Sequence, residues 1–164
     1  MPQSFVLLMR RELDGAIEPP LWPAGISVQT LDAKPDRKLL QAAHAVLEPG
    51  YWEGGGGAPI FRKWWNALRK DEEYDPALIF IATDGEGVAG LAQCWTSAFV
   101  KDLAVAARAR RQGLGRALML EAFAEFARRG AAHVDLKVRE DNPGAIALYH
   151  SLRMRTIERL RVDS

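Results

Sequence analysis

Apolar residues change their spacing in the middle of the chain. Val100, Leu103 and Val105 form an apolar strand of the kind that is buried in a sheet. After a short basic turn, apolar residues recur at every fourth position, at Leu114, Leu118, Ala122 and Phe126. This spacing is typical of a helix with one face against a core. The pattern therefore predicts a strand, a turn and a helix in succession.

A second strand and helix follow directly. Residues 133–138 form the strand, and a helix is predicted from there to about Leu152. Asn142 is a favoured N-cap and Pro143 suits the first helical position, so the helix begins at this pair. One helix joins the two strands, and a right-handed crossover makes them parallel.

The remaining pattern predicts further strands and helices on either side of this unit. Strands are expected at residues 4–12, 26–31, 75–82, 87–95, 98–105 and 155–162, and amphipathic helices at 35–47 and 60–68. Cys94, the single cysteine, lies on one of these strands and is expected in the core.

The turn before the first of these two helices has the composition of an anion site. Unpaired N–H groups at a helix start and the helix dipole attract phosphate, and glycine lets the chain approach a ligand closely. Arg108 adds charge to the turn, which consists of Arg110, Arg111, Gln112, Gly113, Leu114, Gly115 and Arg116. A dinucleotide fold would have a third glycine where this chain has Leu118, so that fingerprint is incomplete. An unrelated nucleotide-binding protein remains one alternative.

The residues of both helix starts resemble the GCN5-related N-acetyltransferase (GNAT) superfamily. Residues 110–115 fit its Arg/Gln-x-x-Gly-x-Gly/Ala turn, and its next block matches Asn142, Ala145, Leu148 and Tyr149. The resemblance implies an α/β (α+β) fold, with a mixed, mainly antiparallel sheet flanked by helices and a splayed parallel strand pair. Where the family has Gly-Phe after the tyrosine helix, this chain reads Leu152-Arg153-Met154. Losing that glycine should alter the end of the helix.

The resemblance implies transfer of an acetyl group from acetyl-CoA to a primary amine by direct attack. Backbone amides of residues 111–116 would hold the pyrophosphate, main-chain groups of Leu103, Ala104 and Val105 would pair with the pantetheine arm, and Asn142 would contact it. Tyr149 would be the general acid that protonates the departing thiolate. A helix tyrosine that merely packs its ring on the sheet is the alternative for Tyr149. A noncatalytic acyl-CoA sensor on the same fold is the alternative for the protein.

The sequence does not single out a catalytic base. The position where relatives often carry a carboxylate holds Phe99, and alternation places Asp102 on the face opposite Leu103 and Val105. Asp102 can equally be a structural carboxylate, and Glu140 and Asp141 are weaker candidates. An ordered water, or an amine that arrives deprotonated, would also serve.

Acceptor specificity is expected in residues 48–68. Tyr51 and Trp52 precede four consecutive glycines at 54–57, which predict a mobile loop that folds over an amine. A loose surface connection explains the same residues equally well. Trp64 and Trp65 are expected in the core.

The two ends of the chain suggest that an extra N-terminal strand takes the place of a missing C-terminal strand. After Met154 only one strand fits, although the family normally closes with two, and residues 4–12 precede the usual first strand. We expect residues 5–10 to occupy the vacant edge next to the last strand, within the chain or across a homodimer. A similar run with Met-Arg-Arg occurs in sequences that look like the C-terminal half of mycothiol synthase, and this likeness implies no substrate.

Length and composition fit a single acetyltransferase domain at residues 1–164, with an extra strand and linker at 1–25 and the core at 26–164. A net charge of +1 gives no reason to expect nucleic acid as a partner. One cysteine and three histidines disfavour a disulfide or a structural metal site. No run has transmembrane length or the pattern of a signal peptide, so we expect no membrane partner and a cytoplasmic location.

Overall fold

The computed structural model describes residues 3–32, 34–53 and 59–162, and within them seven strands and four α-helices. The strands are β1 (Ser4–Glu12), β2 (Ser27–Thr30), β3 (Ile79–Asp84), β4 (Gly87–Trp95), β5 (Phe99–Val105), β6 (His133–Arg139) and β7 (Arg155–Val162). The helices are α1 (Arg37–Glu53), α2 (Phe61–Lys70), α3 (Leu114–Arg128) and α4 (Pro143–Ser151).

The strands form one sheet in the order β2-β3-β4-β5-β6-β1-β7. Every neighbouring pair is antiparallel except β5 and β6, which are parallel, as the crossover through α3 requires. The mixed, mainly antiparallel sheet with a single parallel pair confirms the predicted fold class.

The N-terminal strand lies inside the sheet, between β6 and β7 of its own chain. It pairs antiparallel with both neighbours, so the expected position next to the last strand is correct and the expected position at an edge is wrong. Two paired sides satisfy the backbone of β1 more fully than one, and Met9 is completely buried there. The Arg10 guanidinium donates two hydrogen bonds to Asp135 of β6, at 2.8 and 2.9 Å, which fixes the register.

Helices cover the two faces of the sheet unequally. Apolar residues of α3 and α4 pack on one face with Met9, Leu136 and Val138. Residues of α1 and α2 pack on the other face, over β3 and β4 and beside Ala104 of β5. We call these the α3 face and the α1 face of the sheet.

Two segments differ from their predicted bounds. Helix α1 was expected to end at residue 47 and instead continues through Pro49 to Glu53. Its buried residues Leu40, Ala43 and Leu47 hold the helix on the sheet. Residues 75–78 were expected in a strand, but Pro76–Leu78 form a short 3₁₀ turn before β3. The Asp75 carboxylate accepts a hydrogen bond from the Ala77 N–H at 2.9 Å and caps that turn.

The end of α4 shows what replaces the missing glycine. Arg153 has a φ of +64°, the left-handed conformation that glycine usually supplies after a helix. The N–H of Met154 donates to the Tyr149 carbonyl and the N–H of Arg153 donates to the His150 carbonyl, both at 3.0 Å. The helix therefore ends in a Schellman motif with arginine in the glycine position.

Candidate functional site

The two parallel strands separate soon after they meet, and a cavity lies where they part. Strands β5 and β6 pair only at Phe99 with Asp135 and at Val100 with Leu136. Beyond these positions the β6 side of β5 has no strand partner in the described part of the chain. The cavity measures about 590 Å³. It is lined by Val46, Leu47, residues 100–105, Arg110, residues 136–139, Asp141, Asn142, Ala145 and Tyr149.

The turn before α3 meets this cavity at Arg110. Gly113 is the N-cap of α3 and has a φ of +84°, and a Cβ built there would meet no atom within 4 Å. A Cβ built at Gly115 would lie 3.7 Å from side-chain methyl groups of both Leu148 and Val105. The first N–H groups of the helix have no intrahelical acceptor. The turn therefore offers backbone donors and open space beside the apolar α3 face of β5.

The arginines of the turn divide into two groups. Arg108 donates to both Asp84 carboxylate oxygens, at 3.0 and 3.1 Å, so it belongs to an ion pair with the β3–β4 hairpin and not to the anion site. Arg110 lines the cavity, and its Nε donates to the Val105 carbonyl at 3.3 Å. Arg116 donates to the Ser151 hydroxyl at 3.1 Å, which ties α3 to the end of α4. The expectation that Arg108 adds charge to the turn is therefore wrong.

Asn142 and Tyr149 reach the cavity from α4. The Asn142 side-chain oxygen accepts a hydrogen bond from the Ala145 N–H at 3.2 Å, which confirms it as the N-cap. Tyr149 is 8% exposed, and burial raises its pKa to about 12. A phenol with this pKa stays protonated at neutral pH and can donate a proton into the cavity. The roles of both residues toward a ligand remain predictions.

A β-bulge in β5 sets which side chains face the cavity from the α1 side. Gln93 of β4 pairs with Asp102 and Cys94 pairs with Val100, so Lys101 is an extra residue on β5. Leu103 and Val105 belong to the cluster on the α3 face, whereas Ala104 belongs to the cluster on the α1 face. By alternation from Ala104, Asp102 faces α1. Its side chain is 18% exposed, and Oδ2 lies 3.3 Å from the Lys101 Nζ.

Gln93 is a residue that sequence reasoning missed. It lies opposite Asp102, is 2% exposed, and its Nε2 is buried without a hydrogen-bond partner. A buried amide nitrogen that lacks an acceptor is costly and therefore uncommon. A polar residue between Leu91 and Trp95 in an otherwise apolar strand was the sequence signal for it.

The two weaker candidates for a base have arginine partners. Arg159 donates to both Glu140 oxygens, and Arg139 donates to both Asp141 oxygens at 3.0 Å. The hydrogen bond from Arg159 lowers the pKa of Glu140, and the bond from Arg139 lowers the pKa of Asp141. Both carboxylates are therefore poorer proton acceptors than an ordinary acidic side chain.

Part of the expected acceptor segment lies outside the described residues. The glycines at 54–57 and the side chains of Tyr51 and Trp52 belong to that part, so their roles stay predictions. Trp64 is buried against His44, with ring centroids 5.2 Å apart, which confirms its place in the core. Trp65 is half-buried and packs edge-on to Tyr74.

In residues 3–32, 34–53 and 59–162, no group of three or more His, Cys, Asp or Glu side chains could hold a metal ion. No helix within the same ranges is long and apolar enough to cross a membrane.

Comparison with known proteins gives a match to a family model and a match to a curated protein. Residues 40–153 match the model of the Acetyltransferase (GNAT) family. Over 163 residues the chain is 32% identical to a mycothiol acetyltransferase of Geodermatophilus obscurus, a match that covers 88% of this chain and 50% of that protein. The chain thus spans about half the length of this curated relative.

Solved structures share the fold. A GCN5-related N-acetyltransferase from Sphaerobacter thermophilus superposes with a TM-score of 0.79 at 24% identity, over 97% of this chain and 50% of that one. The ribosomal-protein-S18-alanine N-acetyltransferase of Escherichia coli superposes with a TM-score of 0.58 at 29% identity, over 77% of this chain and 76% of that one.

Proposed function

Because the chain belongs to the Acetyltransferase (GNAT) family, we propose that it transfers an acetyl group from acetyl-CoA to a primary amine by direct attack. One observation carries the proposal. The cavity between β5 and β6 joins the α3 turn, which suits a phosphate, to the buried hydroxyl-bearing residue Tyr149. The relatives named above are a mycothiol acetyltransferase and a ribosomal-protein-S18-alanine N-acetyltransferase, which supports an amine acceptor.

The turn and the free side of β5 fit the two parts of the cosubstrate. Backbone N–H groups of residues 111–116, with Arg110 beside them, would hold the pyrophosphate at the start of α3. Main-chain groups of Leu103, Ala104 and Val105 would hydrogen-bond the pantetheine arm as an added strand, since β6 has already turned away. Asn142 lines the opposite wall. Acetyl-CoA would supply the thioester carbonyl that an amine attacks.

Tyr149 would protonate the sulfur as the thioester bond breaks. Burial raises its pKa to about 12, which keeps the hydroxyl proton in place until negative charge develops nearby. The same burial disfavours a free thiolate, so the departing sulfur in this cavity is a stronger base than a thiolate in water. The proton transfer therefore becomes favourable as charge develops on sulfur.

The proposal is tested by thiol release from acetyl-CoA with a panel of primary amines. The panel contains a peptide with an N-terminal alanine, a lysine-containing peptide with a blocked N-terminus, spermidine and glucosamine. We expect release that depends on one acceptor class, with mass spectrometry showing one added acetyl group on that acceptor.

A noncatalytic acyl-CoA sensor gives a different result. The apolar residue Phe99, where relatives often have a carboxylate, favours this second candidate. A sensor would bind coenzyme A tightly in calorimetry and would release no thiol with any amine in the panel.

A further inference from the structure

We propose that Asp102 binds the acceptor as its ammonium ion and accepts a proton from it, and that Gln93 positions the Asp102 carboxylate. The inference rests on the proposed acetyl transfer and adds the form in which the acceptor enters. It assigns a proton acceptor that the sequence motifs leave open. The bulge in β5, the unpartnered amide of Gln93 and the position of Asp102 in the cavity carry it together.

The bulge brings a charged residue to the α1 side of the cavity. Lys101 is the extra residue, so the alternation of side-chain directions is shifted by one position after it. The side chains of Asp102 and Ala104 face α1, and those of Leu103 and Val105 face α3. Bulges often re-aim a side chain next to an active site. Asp102 therefore lies on the same strand as the proposed main-chain contacts to pantetheine, with its side chain toward α1. An acceptor that comes from the α1 face meets Asp102 beside the thioester.

The Gln93 amide gives the carboxylate a donor within reach. Residues directly opposite in an antiparallel pair have their Cβ atoms about 4.5–5.5 Å apart and share a face of the sheet. Gln93 and Asp102 form such a pair. Gln93 Nε2 is buried and has no acceptor. A carboxylate that turns toward it as the ammonium binds would receive that hydrogen bond and would be fixed in one orientation.

At Asp102 an ammonium ion would compete with Lys101, whose Nζ lies 3.3 Å from Asp102 Oδ2. On the α1 side, the described cavity residues of α1 are Val46 and Leu47, which carry no charge. The charged residues that line the cavity are Lys101, Asp102, Arg110, Lys137, Arg139 and Asp141. Asp141 is ion-paired with Arg139, so Asp102 is the carboxylate of this set that is not held by an arginine. Tyr149 is neutral at physiological pH because burial raises its pKa.

The proton balance closes without a further reactant. The Asp102 carboxylate removes one proton from the ammonium, and the neutral nitrogen then forms the N–C bond to the acetyl carbonyl carbon. The C–S bond breaks as the Tyr149 hydroxyl donates its proton to sulfur. The amide nitrogen loses a second proton, which restores Tyr149 through solvent. Asp102 releases the first proton to solvent, so one proton is set free for each acetyl group transferred.

The test compares Asp102→Asn with Glu140→Gln, a carboxylate on the surface that Arg159 holds. The acceptor is the amine of the panel that supports thiol release, and the pH series runs through the pKa of that amine, which is about 8 for a peptide N-terminus. We expect Asp102→Asn to lower kcat/KM on the order of a hundredfold at neutral pH, since general base catalysis contributes 10²- to 10⁴-fold. The loss should shrink as the pH rises above the amine's own pKa, because the acceptor then arrives neutral. Glu140→Gln should keep the wild-type profile, and Asp102→Glu should recover part of the rate.

Gln93→Leu tests the positioning role. Replacing a buried amide that lacks a partner with an apolar side chain should leave the thermal midpoint equal or higher. The rate at neutral pH should nevertheless fall and should recover at high pH, as for Asp102→Asn. A purely structural residue would change the midpoint and leave the pH profile unchanged.

The outcomes distinguish a failure of the Asp102 assignment from a failure of the proposed acetyl transfer. If Asp102→Asn retains wild-type kcat/KM at neutral pH, or loses the same factor at every pH, this inference is overturned while the acetyl transfer stands. If the wild-type protein releases no thiol with any acceptor of the panel, the proposed function fails and this inference fails with it. Coenzyme A affinity, measured by calorimetry, should be equal in the wild-type protein and all four variants.

Discussion

Leu103 and Val105 extend from β5 toward α3, whereas Asp102 and Ala104 extend from the same strand toward α1. The α3 face of the strand is apolar and continues into a turn with open backbone donors. The α1 face carries a carboxylate opposite a buried amide that lacks a partner. Under the proposed transfer, one side of the strand would face a long, partly apolar cosubstrate and the other side would present a polar group to an amine.

This difference suggests how the cosubstrate and the acceptor could bind on opposite faces of β5 and meet in the cavity. On the α3 side, backbone groups of the turn and of β5 would bind the cosubstrate, with Leu103 and Val105 packed beside it. On the α1 side, Asp102 would accept the proton and Gln93 would position it. Substitutions on the two faces should therefore affect different kinetic constants.

Gly113→Glu is expected to have the largest effect, on coenzyme A affinity. Near a protein surface, repulsion between a carboxylate and a phosphate about 4 Å apart raises the free energy of binding by roughly 4 kcal/mol. This corresponds to about a thousandfold weaker binding of coenzyme A. Calorimetry with coenzyme A measures the change.

Gly130→Glu is the matched control for this substitution. Gly130 follows the other end of α3, has a φ of +80° against +84° at Gly113, and likewise has nothing within 4 Å of a built Cβ. The backbone strain is therefore the same in both variants. Equal losses of coenzyme A affinity in the two would contradict the assignment of the turn.

Tyr149→Phe should lower kcat by about a hundredfold and leave coenzyme A affinity unchanged, because only the proton donor is removed. Tyr74→Phe is the control, since Tyr74 packs edge-on to Trp65 outside the cavity. Steady-state kinetics with the acceptor found in the panel measure both variants. An unchanged kcat in Tyr149→Phe would show that the ring only packs on the sheet.

The raised pKa of Tyr149 sets the direction of the pH profile. The neutral phenol is the active form, and burial raises its pKa to about 12, so the active form persists to higher pH than for an ordinary tyrosine. We therefore expect no loss of kcat up to about pH 10, the usual pKa of tyrosine. A basic limb well below that value which disappears in Tyr149→Phe would contradict the burial argument.

Val46→Ala and Leu103→Ala should separate the two faces. Val46 lines the cavity from α1, so its truncation should raise KM for the acceptor. Leu103 lies on the α3 face, so its truncation should raise KM for acetyl-CoA. Each change should be about threefold to tenfold, because a fully buried methylene contributes about 0.8 kcal/mol and both side chains are only half-buried. Each variant serves as the control of the other. If either variant changed KM for the acceptor and KM for acetyl-CoA equally, the assignment of one face to each ligand would be contradicted.

Arg110→Ala should have the smallest effect, about fivefold on coenzyme A affinity, since an exposed charge contributes about 1 kcal/mol or less.

Arg108→Ala should leave coenzyme A affinity unchanged and lower the thermal midpoint slightly. The hydrogen bond from Arg108 lowers the pKa of Asp84, so the pair stabilises the fold above the ordinary pKa of the carboxyl and ceases to do so as the pH falls. The difference in midpoint between wild type and Arg108→Ala should therefore disappear in acid.

Local signals in the sequence predicted the α3 side of the cavity well. The fourfold spacing after Gly113 placed α3, and Asn142 with Pro143 placed the start of α4. Both signals depend on neighbours within one or two helical turns, which the sequence displays directly.

The features that the sequence did not reveal depend on distant partners. The bulge at Lys101 exists only relative to β4, and the position of β1 inside the sheet depends on pairing with β6 and β7. Arg108 was expected to add charge to the turn because its neighbours are basic, yet its partner Asp84 lies 24 residues away. Gln93 becomes notable only once its burial and its missing hydrogen bond are known.

Backbone amide NMR of the nitrogen-15-labelled protein during a titration with coenzyme A tests whether the cosubstrate binds on the α3 side of the cavity, because it reports on both faces of β5 at once. We expect the largest shifts at Gly113, Leu114, Gly115, Leu103 and Val105, with small shifts at the α1 residues Leu40 and Ala43. Large shifts confined to α1 and α2, with the α3 turn unchanged, would contradict the division of the cavity between cosubstrate and acceptor.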